Sequence, residues 1–255
     1  MAEDLSILTR TATPPDETLR YGPHPDQVAD LRHGARGTQL PLVVVIHGGF
    51  WKPAYDRSHA QAMSATLAAD GWSMLTLEYR RTPGQPQDTV QDIAAALSTL
   101  VAQATPHNGD VLLIGHSAGG HLVLWAAAAL AMPALRGVVA LAPAADLRLA
   151  HGLQLGSGAV QSFLGTHPDD QPNLDPMNLK APTVPVTIIQ GEDDQVVPLA
   201  VAQSYCKAFP ATRLVALPAV GHFALIDPFA PAWAAVLEAL RALSGTRPAS
   251  AGTAE

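Results

Sequence analysis

Ser117 sits in the run Gly115-His116-Ser117-Ala118-Gly119-Gly120, between the apolar stretch Val111 to Ile114 and the helix-forming stretch Leu122 to Met132. A short apolar run followed by a glycine-rich turn and a helical segment predicts a strand, a sharp turn and a helix, with the serine at the join. Such a turn strains the serine backbone and needs small residues two positions before and after it, where strand and helix nearly touch. The chemistry implied is nucleophilic attack by a serine hydroxyl, which needs a base, an acid to orient the base, and donors for the oxyanion.

Each partner has a candidate just after another apolar run. After Leu214 to Leu217 comes Ala219-Val220-Gly221-His222-Phe223, where His222 can take the serine proton and hand it to the leaving group. After Val186 to Ile189 comes Gln190-Gly191-Glu192-Asp193-Asp194-Gln195-Val196-Val197-Pro198, with three acids able to orient a histidine. Spacing after Gly191 and before Val197-Pro198 favours Asp194, and Glu192 and Asp193 read as solvated or capping charges. After Leu42 to Ile46 comes His47-Gly48-Gly49-Phe50-Trp51, whose paired glycines can turn backbone amides inward. Gly49 or Phe50 supplies one oxyanion donor, and the Ala118 amide at the helix start supplies the second. The aromatics Trp51 and Phe223 are expected to line the substrate pocket. His47, His116 and His121 are read as structural, and Glu78-Tyr79-Arg80-Arg81 as surface ion pairing.

The elements that must position these residues alternate along the chain. Strands are expected at 42–46, 72–77, 110–114, 137–141, 186–189 and 214–217, and helices at 58–70, 88–104, 122–132, 199–208 and 229–243. Continuous apolar strands separated by amphipathic helices imply a mostly parallel sheet covered by helices on both faces. Residues 1–40 are polar and rich in Pro and Gly, with weak strand signals near Thr18 to Tyr21 and Val28 to Leu31, fitting an edge hairpin or a surface wrap. The alternation breaks between Pro143 and Ala181, so about 144–181 is expected to form a short cap within a single domain spanning 1–243. The small, polar residues 244–255 are expected to be disordered.

Composition narrows the function classes. With 255 residues and a formal charge of -7, without a basic run, the chain suits neither nucleic acid nor an anionic membrane. A single cysteine, Cys206, gives no internal disulfide and reads as a buried, inert thiol. The acidic start Met-Ala-Glu-Asp-Leu and the lack of a long apolar run make cytoplasmic the expectation. No His-Glu-x-x-His or Cys-x-x-Cys spacing is present, so neither metal nor cofactor is expected.

Together these residues resemble the α/β-hydrolase superfamily from about Leu42 to Leu243, with the order serine, acid, histidine that this fold uses. His47-Gly-Gly-Phe-Trp51 with Gly115-His-Ser-Ala-Gly-Gly-His-Leu122 is similar to the group of arylformamidases (kynurenine formamidases) and small acyl and feruloyl esterases. The resemblance implies a serine hydrolase with a covalent acyl-enzyme on Ser117, base His222 and acid Asp194. It implies a small-molecule carboxylic ester or N-formyl or aryl amide as substrate, and leaves a homo-oligomer open. Gln190 departs from the histidine common before the acid loop, a change expected to touch the mechanism little. A single-domain prolyl-oligopeptidase-like peptidase is the alternative, though the chain lacks a large accessory domain to select peptides. A non-catalytic ligand-binding protein of this fold is weaker, because all three triad residues are present. A dehalogenase would need aspartate at position 117.

Overall fold

The computed structural model describes residues 4–245. Eight strands, β1 (Glu17–Arg20), β2 (Val28–Arg32), β3 (Leu42–Ile46), β4 (Met74–Leu77), β5 (Val111–His116), β6 (Leu135–Leu141), β7 (Val186–Gly191) and β8 (Arg213–Leu217), form one sheet in the order β1-β2-β4-β3-β5-β6-β7-β8. Strand β2 pairs antiparallel with both β1 and β4, and every other pairing is parallel. The weak signals near residues 18 and 28 thus make an edge hairpin that continues the sheet.

Among the described residues seven α-helices accompany it: α1 (Gln61–Ala69), α2 (Pro86–Leu100), α3 (Ala118–Ala129), α4 (Leu147–Gly152), α5 (Leu155–Leu164), α6 (Leu199–Ala208) and α7 (Trp233–Ser244). Alternate side chains of a strand point to opposite faces, and β3 divides accordingly. Leu42, Val44 and Ile46 join a cluster with Ile93 and Leu97 of α2, Leu122 of α3 and Tyr205 of α6. Val43 and Val45 join Met63 and Leu67 of α1 and Val236 and Leu240 of α7 on the other face. The continuous apolar runs exist because both faces are dry, and burying each such side chain contributes about 1.5–3 kcal/mol.

Helix ends differ locally from the sequence expectation. A 3-10 turn, Arg57–Ala60, capped by Asp56, precedes α1. Helix α7 starts at Trp233, not at residue 229, because Asp227 caps a turn through the Phe229 amide and Pro231 follows. The segment between β6 and β7 folds as α4, α5 and three 3-10 turns. It packs on the loop after β3, where Lys52 Nζ donates to the Gly156 carbonyl at 2.9 Å, and on α3, where the Trp125 indole donates to the Asn173 carbonyl at 3.2 Å. Of the expected tail, Ser244 closes α7, and residues 246–255 lie outside the described residues.

Candidate active site

Ser117 joins β5 to α3 with φ 57° and ψ -117°, a conformation that costs of order 1–3 kcal/mol in a non-glycine residue. The surrounding contacts hold it there. A Cβ on Gly119 would lie 2.0 Å from the Ile46 carbonyl oxygen, so α3 rests directly on the end of β3. The Ser117 amide donates to the Leu141 carbonyl at 2.8 Å, tying the turn to β6 as well.

The loop after β3 has three consecutive left-handed residues, Gly49 (φ 107°), Phe50 (φ 54°) and Trp51 (φ 54°). At Gly49 a side chain would also collide with Tyr55, 2.4 Å from the ideal Cβ. Among the described residues the Gly49 and Phe50 amides donate to no protein acceptor, and Ala118 opens α3, where the first amides lack intrahelical partners. All three N–H groups are therefore available to an oxyanion.

The loop is fixed from behind by His47. Its Nε2 lies 3.0 Å from Glu78 Oε1 and its Nδ1 2.8 Å from the Gly48 carbonyl, while Tyr79 stacks on its ring and donates its hydroxyl to the His47 carbonyl at 2.8 Å. Glu78 also accepts from the Arg57 amide and from the Arg81 guanidinium. Burial alone would raise this carboxyl, but the hydrogen bond and charge of His47, with the Arg81 charge, bring it down to about 2. The expected surface pairing at Glu78 and Arg81 is thus corrected: both are buried, because β4 ends beneath the oxyanion loop and not at the rim.

Asp194 and His222 meet from adjacent strand ends. His222 Nδ1 lies 2.7 Å from Asp194 Oδ2, and both residues are buried. The other carboxylate oxygen accepts the Val196 and Val197 amides, each at 2.8 Å. Asp193 and Glu192 are exposed on the same loop. Gln190, treated in the sequence as a departure of little consequence, donates from Nε2 to Asp194 Oδ2 at 3.0 Å and to the Val197 carbonyl at 3.0 Å. It therefore fixes the Asp194 carboxylate.

Ser117, His222, Gly49 and Phe50 line one cavity of about 80 Å³, with Phe223, Tyr55 and Val196 among its other walls. A hollow of about 520 Å³ between α2 and the end of α3 is larger but carries no titratable group, so chemistry and not size selects the site. Two histidines that carry no spacing signal as wall residues also face the cavity, His59 and His116. His116 Nε2 lies 3.1 Å from the His222 carbonyl, so it fixes the backbone of the proposed base, and burial holds its ring neutral by lowering its pKa well below the usual value. Burial, reinforced by His47, lowers His59 to about 4. Spatial proximity of residues far apart in sequence is the signal here, and no spacing rule carries it.

Trp51 is a correction. It is 3% exposed, stacks on Phe163 of α5 at 4.7 Å and meets His121 edge-on, and does not line the cavity. Phe50 lines the cavity and its ring also packs against Gly156 of α5, whereas Trp51 is turned wholly into the cap. His121 itself bonds the Leu174 carbonyl at 2.8 Å and secures the cap from α3. Cys206 is half-buried in α6 and burial raises its thiol. Among the described residues no cluster of three or more His, Cys, Asp or Glu could hold a metal ion, and no helix is long and apolar enough to cross a membrane.

The sheet order with one reversed strand, the strained serine between β5 and α3, and an acid and a histidine at the ends of β7 and β8 define an α/β-hydrolase fold. Within it, residues 31–208 match the BD-FAE family model, and the chain belongs to that family. Esterase LipC of Mycobacterium tuberculosis is 25% identical over 252 residues, 81% of this chain and 59% of LipC. An acetyl-hydrolase of Streptomyces hygroscopicus is 37% identical over 109 residues, 41% of this chain and 36% of that protein. The matches thus span only part of these relatives' lengths. Esterase B of Lactobacillus rhamnosis, solved with a C4-C4 tributyrin phosphonate, superposes with a TM-score of 0.74 at 22% identity, covering 91% of this chain and 87% of that one.

Proposed function

We propose that this protein is a serine hydrolase of small carboxylic esters, working through an acyl-enzyme on Ser117. In this reading the Ser117 Oγ attacks the ester carbonyl carbon while His222 takes the hydroxyl proton. Asp194 holds the ring by its 2.7 Å contact and stabilises the imidazolium without taking the proton. The carbonyl oxygen, now negative, is met by the Ala118 amide and by that of Gly49 or Phe50. Collapse breaks the bond to the alcohol oxygen, which leaves with the proton from His222. Water then gives a proton to His222, attacks the acyl carbon, and releases the carboxylic acid as Ser117 Oγ regains that proton.

The observation that carries this reading is the buried Asp194–His222 pair, whose histidine lines the cavity where Ser117 is held in a strained elbow. The esterase names of LipC and esterase B support it. Replacing Ser117 by Ala should abolish turnover of nitrophenyl acetate and labelling by a serine-directed phosphonate. Persistent turnover or labelling elsewhere would overturn the assignment.

Cleavage of an N-formyl aryl amide is a second reading within the same chemistry. The cavity of about 80 Å³, well below the several hundred Å³ typical of drug-sized ligands, favours a short acyl group, and formyl is the shortest. Comparative rates on N-formylkynurenine, nitrophenyl esters and a feruloyl ester would rank the two.

A further inference from the structure

The N-terminal segment reaches this cavity. Residues Ser6–Thr9 form a 3-10 turn, and Leu8 is part of the cavity lining although it lies more than 100 residues from Ser117 in the chain. Its neighbours anchor it on both sides. Ile7 is 1% exposed and packs in the core face that includes Leu225, Ile226 and Trp233. Arg10 pairs with Asp227 through both carboxylate oxygens, and its guanidinium lies 4.6 Å from the Phe229 ring centroid. Asp227 is five residues beyond His222, so the clamp ties the N-terminal turn to the loop that carries the base. In a 3-10 helix successive side chains point about a third of a turn apart. With Ile7 driven into the core, half-buried Leu8 packs at the edge of that face and lines the site.

We propose that this strap sets the acyl-chain length the site accepts, with Leu8 as the residue that meets the end of the acyl chain. The inference rests on the ester-hydrolase reading above. The group that stays on Ser117 through both half-reactions is the acyl group, whereas the alcohol must depart before water enters. A cavity closed by a strap anchored at Ile7 and Arg10 therefore suits the acyl side. Arg10 does not line this cavity and acts as a positioning residue through Leu8.

The test measures kcat/KM for nitrophenyl acetate, butyrate, hexanoate and octanoate with wild type, Leu8→Ala, Leu8→Met, Leu8→Trp and Arg10→Ala. A methylene that fits or fails to fit an apolar site changes discrimination by roughly tenfold or more, so Leu8→Ala should raise the octanoate-to-acetate ratio at least about tenfold. Leu8→Trp should lower the ratio, Leu8→Met should keep the wild-type profile, and Arg10→Ala should shift it in the same direction as Leu8→Ala. A parallel series of acetate esters with lengthening alcohols should be discriminated as by wild type. Superimposable acyl profiles, or changes confined to the alcohol series, would overturn the proposal. Wild type that cleaves no ester and takes no phosphonate label would overturn the hydrolase reading and this inference with it. Active wild type with unshifted variants overturns the inference alone.

Discussion

The His47 imidazole meets the Glu78 carboxylate at 3.0 Å with both groups sealed from solvent, directly behind the two glycines whose loop faces Ser117. A carboxylate at the end of β4 therefore governs the loop at the end of β3. Glu78→Gln keeps the shape but loses the charge that faces His47 and Arg81. Its kcat should fall roughly tenfold or more, below the full loss from deleting an oxyanion donor, with KM little changed. Steady-state kinetics on nitrophenyl butyrate would check this, and equal loss in KM would point to substrate contact instead. Glu78→Ala should be destabilised by about 3–5 kcal/mol, since it leaves buried positive charge without its partner.

Strain at Ser117 gives a separation of stability from activity. Ser117→Gly should abolish turnover yet unfold at higher denaturant than Ser117→Ala, by of order 1 kcal/mol, because glycine tolerates φ 57°. Urea melts of the two variants test it, and coincident midpoints would mean the elbow is relaxed.

The acid loop offers a direct contrast. Asp194→Asn should lower kcat by about 10³- to 10⁴-fold, as expected when the orienting acid of a triad is neutralised. The exposed Asp193→Asn should retain activity near wild type. The reverse ranking would assign the acid to Asp193.

Acid should unfold the protein in two stages. His59 and His121 are lowered by burial from an ordinary 6.5 to about 4, so the unfolded chain binds more protons between those values. Their contribution is complete above about pH 6.5 and is lost as pH falls towards 4. Glu78, brought from 4.5 down to about 2, contributes stability that is present above about pH 4.5 and lost as pH falls towards 2. Urea midpoints across this range should decline through both windows, and His59→Phe should flatten the upper one. An unchanged upper slope would show that His59 is already protonated in the folded protein.

Ser117 and its glycines, together with the strand ends bearing His47, Asp194 and His222, were readable because each element carries its own local pattern of apolar run and turn. Helix α6 falls at its expected bounds for the same reason. The direction in which a loop side chain points is not local. Phe50 and Trp51 are adjacent, yet one lines the cavity and the other stacks on Phe163 inside the cap. Gln190 gains its meaning only when the loop after β7 folds back to bring Asp194 to its amide, and His116 only when the loop after β8 reaches the end of β5. Leu8 was hidden in a polar N-terminal stretch because the few apolar residues there, Leu5, Ile7 and Leu8, are too short a run for a periodicity to reveal them.

Gly119 leaves α3 in contact with the carbonyl at the end of β3, where even one methyl group would not fit. The nucleophile and the oxyanion loop thus share a boundary with no slack. In the ester-hydrolase reading, single substitutions at Leu8, Phe50 or Phe223 change what the cavity admits, whereas a side chain at Gly119 displaces the Ser117 turn and the loop after β3 together.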